Sequence, residues 1–332
     1  MRAGNVGDML MITPSVKALA EKYPCCSIAL FTSTCGREIF CHDPLINRIY
    51  CIKHKHLPYF ISIEKQRLIK QLKNIRFETV INFETNPSFS NLIKKIPAKN
   101  YIGWSDEMTT KIPFNLLESY WQNCINLLSP LGILKPESYL YIHTSKDDHI
   151  FFEEDIKSPI IGIHPGNSQI GKKRNVRAWF PERFAELIYK ILNKYSEYKI
   201  VLTYKGKPEK KLIDNILSLL NISGDPHIRI APQMTPQQFA LFLKRYKLLV
   251  TTDTGVVNFA AAVGTPMVVL WGPGNFRLSF PPLREKRTKI IYHKINCSPC
   301  YGTRQEKRCI ENKCMKNITV NEVSDAVDEL MK

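Results

Sequence analysis

The stretch Leu248-Leu249-Val250-Thr251-Thr252-Asp253-Thr254-Gly255-Val256-Val257-Asn258-Phe259-Ala260-Ala261-Ala262 decides the fold. Leu248 to Thr252 reads as a buried strand, and it turns at once into a helix of small residues from Gly255 to Val263. The run Met267 to Trp271 follows as the next strand. A fully apolar strand, a helix and another fully apolar strand in close succession are the signature of a parallel sheet covered on both faces. The unpaired amides that open such a helix form a binding place for an anion. Thr254 adds a hydroxyl, and Asp253 is open to two readings: part of a phosphate site, or a plain helix cap.

Upstream the alternation continues: strand Ile160 to His164, helix Pro181 to Tyr195, strand Lys199 to Tyr204, helix Pro208 to Leu220, strand Ile228 to Ala231 and helix Thr235 to Tyr246. The first half is less regular. Ser27 to Thr32, Thr79 to Phe83 and Tyr101 to Trp104 read as strands; Pro14 to Tyr23, Glu64 to Phe77 and Ser119 to Leu128 read as helices. Thr319 with Glu322 forms a capping box before a final apolar-faced helix. A length of 332 residues supports two domains. The acidic passage with Lys146-Asp147-Asp148 and Glu153-Glu154-Asp155 separates them, giving residues 1–150 and 151–332, and two doubly wound α/β units in tandem imply a cleft.

The chain has no apolar stretch of about 18 residues and no secretory leader pattern, so a soluble, cytoplasmic protein is expected. Its net charge of +17 suggests an anionic partner, for which nucleic acid, a membrane surface and a phosphorylated substrate all qualify, or equally reflects a basic bias shared across a proteome. No Gly-x-Gly-x-x-Gly follows a strand, which disfavours a nicotinamide oxidoreductase. Nucleic acid has only the charge in its favour.

Ligands of open α/β sheets gather where strands run into helices. Gly4-Asn5-Val6-Gly7-Asp8 precedes an apolar helix, and Asp8 there is either a general base or a carboxylate stabilised by the helix dipole. His164-Pro165-Gly166-Asn167-Ser168 exposes backbone amides and a hydroxyl, with Arg177 to offer a guanidinium fork and His164 read as structural. Trp271-Gly272-Pro273-Gly274 reads as a strand-ending turn. Cys297, Cys300, Cys309 and Cys314 form either a structural zinc site or free thiols or a redox-labile disulfide.

Taken together, these loops resemble glycosyltransferase family 9, the bacterial ADP-heptose:lipopolysaccharide heptosyltransferases and their relatives. The likeness rests on Gly7-Asp8 with Thr13-Pro14, on His164-Pro165-Gly166 leading to Trp179-Phe180-Pro181-Glu182, and on Asp253-Thr254-Gly255 leading to Gly264-Thr265-Pro266. It implies a GT-B fold, with an acceptor-binding first domain and a donor-binding second domain. It also implies inverting transfer of heptose, or a related sugar, from an ADP-sugar to the inner core of lipopolysaccharide, without cofactor or metal. Contact with the cytoplasmic face of the inner membrane follows from that acceptor.

By the same resemblance Asp8 matches the catalytic aspartate, and Ser168, Arg177, Glu209, Met234, Asp253, Thr254, Gly255 and Asn258 fall at donor positions. Arg177 stands where members carry a lysine, and Asn258 where heptosyltransferases carry histidine. Asn258 keeps hydrogen bonding but no charge, which leaves other sugar nucleotides open as donors. Members also open with a buried strand, which Met1-Arg2-Ala3 is too short to supply; a first strand is therefore expected to be missing. A protein that binds nucleotide sugar or lipopolysaccharide without catalysis is the alternative reading.

Overall fold

The computed structural model describes the chain except residues 54–56, 149–155, 173, 221–223 and 285–286, and the side chains of residues 87, 88 and 90. Glu153-Glu154-Asp155 and the expected division at 150/151 lie outside the described residues. The chain forms two compact units, Met1–His143 and Thr144–Lys332. Among the described residues no helix is long and apolar enough to cross a membrane.

In the first unit, β1 (Ala29–Ser33) pairs in parallel with β2 (Arg48–Ile52), and β3 (Phe77–Ile81), β4 (Ala98–Gly103) and β5 (Thr110–Lys111) form a second parallel group. Residues 1–3 connect the two groups. Arg2 makes a parallel bridge to Thr32 and its amide donates to Phe31 O at 3.1 Å, while Met1 O accepts from Phe83 N at 2.9 Å. The opening strand expected to be absent is thus represented by three extended residues, which satisfy strand edges that would otherwise carry unpaired amides and carbonyls. Burial lowers the Met1 amino group to about 5, and it donates to Ile81 O at 2.5 Å.

The helices of this unit are α1 (Val6–Leu10), α2 (Thr13–Lys22), α3 (Thr34–Phe40), α4 (Ile63–Leu72), α5 (Pro87–Ile93) and α6 (Tyr120–Asn126). The helix read over 64–77 ends at Leu72, because Phe77 already opens β3 and is drawn into the ladder by Pro97 O at 3.1 Å. Strand β2 is half exposed along most of its length, so it lacks the continuous apolar run that marks a buried strand.

The second unit contains one six-stranded parallel sheet of β6 (Ile160–His164), β7 (Lys199–Leu202), β8 (Ile228–Ile230), β9 (Tyr246–Thr252), β10 (Met267–Trp271) and β11 (Thr288–Tyr292). Their order is β11-β10-β9-β6-β7-β8. The chain lays β7 and β8 on one side of β6 and then returns to place β9 on the other. That reversal makes the β6/β9 pair a topological switch point, where the loops after both strands diverge and leave room for a ligand.

The covering helices are α7 (Pro181–Lys194), α8 (Gly206–Leu220), α9 (Pro236–Lys244), α10 (Gly255–Val263), α11 (Phe276–Ser279), α12 (Lys313–Lys316) and α13 (Val320–Met331). Strands β6, β9 and β10 are buried almost throughout, and α7 and α13 close one face of the core through Phe184, Ile188, Val323 and Val327. Helix α13 starts on the Thr319/Glu322 capping box, with Thr319 N donating to Glu322 Oε2 at 2.8 Å.

Candidate active site

Asp8 lies in the first turn of α1, beside the carboxyl ends of β1 and β3. One of its oxygens is 3.0 Å from Arg2 Nη2, and the other accepts from Asn5 N at 2.8 Å. Its side chain remains 41% exposed, whereas that of Arg2 is 10% exposed. Gly4 is needed for this geometry, since a Cβ there would come within 2.3 Å of Asp8 Cβ.

Arg2 is itself held from behind. Its Nη1 donates to Phe83 O at 3.1 Å and to Glu84 Oε2 at 3.2 Å, and its guanidinium lies 4.7 Å from the centre of the Tyr120 ring. Glu84 also accepts from Ala3 N, and the Tyr120 hydroxyl donates to Phe83 O. Burial pushes the Tyr120 phenol well above its ordinary value and the neighbouring Cys124 thiol up to about 12, so both stay protonated. One buried arginine therefore serves two carboxylates, of which only Asp8 reaches solvent. Sequence reading missed Arg2, Glu84 and Tyr120. The available signal was Glu84 itself, a carboxylate directly after the apolar run ending at Phe83.

In the second unit the loops after β6 and β9 meet around Arg177. Its Nη2 lies 2.6 Å from Asp253 Oδ1 and also donates to the Asp253 carbonyl, and its Nη1 lies 3.4 Å from Ser168 Oγ. Both side chains of the Arg177–Asp253 pair are 11% exposed. Burial raises the Asp253 pKa, with Arg177 opposing that shift. The N-cap of α10 is Thr254, whose side chain makes no cap bond, so Asp253 serves the guanidinium rather than the helix end. Thr252 Oγ1 donates to Gly166 O at 3.0 Å and fastens the two loops together.

Glu209, from the first turn of α8, meets the β6 loop from another side. A Cβ at Gly166 would come within 2.4 Å of its carboxyl carbon, and its Oε2 accepts from Lys205 N at 2.6 Å. Burial raises its pKa. His164 is bonded through Nδ1 to Thr203 Oγ1 at 3.0 Å, and burial lowers it to about 4, leaving a neutral imidazole at physiological pH. Asn258 is buried on α10, and its Oδ1 has no partner among the described residues. Met234 sits half-buried between β8 and α9 and enters none of these polar contacts.

Buried polar atoms are normally paired. Asn167 Nδ2, Asn175 Oδ1 and Arg177 Nε, all on the segment after β6, are buried without partners among the described residues, as is Asn258 Oδ1. These four lie on the elements that follow β6 and β9; other such atoms, Arg2 Nε among them, lie elsewhere.

The cysteine-bearing tail packs on this segment. Gln169 Nε2 donates to Glu306 Oε1 at 2.6 Å, Asn312 Nδ2 donates to Ala178 O at 3.1 Å, and the Arg177 guanidinium lies 4.8 Å from the centre of the Tyr301 ring. Cys297, Cys300, Cys309 and Cys314 are free thiols, and among the described residues no three histidine, cysteine or acidic side chains are gathered to hold a metal ion. Burial pushes the Cys300 thiol up and the Cys314 thiol up to about 11. The tail braces the Arg177 segment through hydrogen bonds and an aromatic ring. Trp271 Nε1 donates to Gly274 O at 2.9 Å and closes the turn after β10, where a Cβ on Gly274 would reach within 2.5 Å of Asp253 Oδ2.

With this geometry in view, comparison with known proteins is informative. The family model described as Glycosyltransferase family 9 (heptosyltransferase) matches residues 65–311. Lipopolysaccharide heptosyltransferase 2 of Salmonella typhimurium is 24% identical over 315 residues, covering 87% of each chain. A family 9 glycosyltransferase from Veillonella parvula superimposes with a TM-score of 0.78 at 19% identity, over 99% of this chain and 95% of that one. The E. coli heptosyltransferase WaaC with ADP gives 0.74 at 15% identity, over 99% and 100%. The fold is that of these enzymes, the GT-B fold expected from the sequence.

Proposed function

Since the chain belongs to glycosyltransferase family 9, and is thus a sugar-transferring enzyme, we propose that it moves heptose from ADP-heptose to the inner core of lipopolysaccharide, inverting the anomeric carbon without a metal. The reading is supported above all by the unpartnered polar atoms around Arg177 at the β6/β9 switch point.

In this mechanism the second unit binds the donor. The first-turn amides of α10 and the Arg177 guanidinium meet the diphosphate, taking the place a cation would hold. Asp253, Ser168 and Tyr301 fix the guanidinium, and Asn258 presents its amide to a hydroxyl of the donor. Glu209 orders the β6 loop through Gly166 and the Lys205 amide. The first unit binds the acceptor, an anionic glycolipid at the cytoplasmic face of the inner membrane. Asp8 takes the proton from its hydroxyl while that oxygen bonds to the anomeric carbon. The bond from that carbon to the diphosphate breaks on the opposite side, its electron pair leaves with ADP, and the configuration inverts.

The test is transfer from ADP-heptose to heptose-deficient lipopolysaccharide in the presence of EDTA, with the product anomer read by NMR and UDP- and GDP-sugars run in parallel. Inverted product from ADP-heptose with EDTA present is expected. Retained configuration, dependence on a divalent cation or preference for another nucleotide would contradict the corresponding part of the proposal.

A further inference from the structure

The turn that leads into α4 carries an unusual surface. Phe60, Ile61 and Ile63 are 76%, 59% and 63% exposed, and Leu57 beside them is 42% exposed. Exposed apolar side chains occur singly on most soluble proteins, but several on one turn mark an interaction surface. The backbone beneath them is tied down. Ser62 N donates to Pro58 O at 3.0 Å, Gln66 Nε2 donates to Phe60 O at 3.0 Å and to Tyr59 O at 3.2 Å, and Lys65 Nζ donates to Leu57 O at 2.5 Å. The apolar side chains project from a fixed knuckle whose inner ring, Tyr59, lies 4.8 Å from Lys95 Nζ.

The elements around the knuckle are basic. Lys53 at the end of β2, Arg67 and Lys70 on α4, and Lys94 and Lys95 after α5 are all exposed. The carboxylate among them, Glu64, is half-buried and accepts from Lys53 N at 2.7 Å. Apolar tips surrounded by lysine and arginine suit the boundary between headgroups and acyl chains, where the tips enter the apolar layer and the cations meet anionic lipid.

We propose that this knuckle docks the first unit on a bilayer carrying anionic phospholipid headgroups. The inference deepens the proposed function by naming where the enzyme touches the membrane that holds its lipid acceptor, and vesicle binding reads it without any sugar.

The experiment is co-sedimentation of the full chain with vesicles of phosphatidylethanolamine and phosphatidylglycerol, and with phosphatidylcholine vesicles. The native chain should bind the anionic vesicles. Combined Phe60→Ser, Ile61→Ser and Ile63→Ser changes, all at exposed positions, should weaken binding about tenfold or more with unchanged thermal unfolding. Lys94→Glu with Lys95→Glu should weaken it by roughly fivefold or more, on anionic vesicles alone. Transfer to a lipid-free core oligosaccharide should be unaffected by the serine changes. Native-like sedimentation of the serine variant, or equal binding to both vesicle types, would overturn the proposal. Failure of transfer to every acceptor, with vesicle binding intact, would strike the proposed function instead.

Discussion

Each unit carries one arginine–aspartate pair beside the carboxyl ends of its parallel strands, and the two pairs are built in opposite senses. In Arg2–Asp8 the arginine is buried and the carboxylate reaches solvent; in Arg177–Asp253 both partners are almost closed off. In the first pair the cation steadies an accessible carboxylate, and Glu84 shares that cation. In the second, the carboxylate steadies a cation that also lies 3.4 Å from Ser168 Oγ and 4.8 Å from the centre of the Tyr301 ring. Contact type alone thus says little about role; exposure and the third partner separate the proposed proton acceptor from the proposed phosphate ligand.

The largest effect should come from Asp8→Asn, which keeps an oxygen for the Asn5 amide but removes the proton acceptor. A fall in kcat of about a thousandfold with little change in donor KM is expected in a steady-state transfer assay. A kcat within a few-fold of native would erase the distinction between the pairs. Arg177→Met comes next, with donor KM rising roughly thirtyfold as a charged hydrogen-bonding group is lost. Asp253→Asn should be mildest, about tenfold or less on donor KM, because an amide oxygen still accepts from Arg177. If it instead lowered kcat as far as Asp8→Asn does, the buried pair would have a part in proton transfer.

Much of the second unit was legible because its central strands, flanked on both sides, are continuous apolar runs such as Ile160 to His164 and Met267 to Trp271. Strands β2 and β11 escaped because half-exposed edge strands mix polar and apolar residues. Residues 1–3 were too few to show periodicity, and only their two strand neighbours reveal what they do. At the site, Ser168, Arg177 and Asp253 were readable from loop chemistry, since they follow the apolar strands β6 and β9 that flank the switch point. The environment of Asp8 was not readable: Arg2 and Glu84 are 82 residues apart in sequence and meet only once the strands are laid side by side. The bracing role of the tail was not readable, because Glu306, Asn312 and Tyr301 meet the Arg177 segment from more than 120 residues away in sequence.

The division of labour between the two pairs is tested most directly by titrating ADP into the Asp8→Asn and Arg177→Met variants side by side in a calorimeter. Native-like ADP affinity for Asp8→Asn and a roughly thirtyfold loss for Arg177→Met are the predicted results. Equal losses in both variants, or a loss confined to Asp8→Asn, would contradict it.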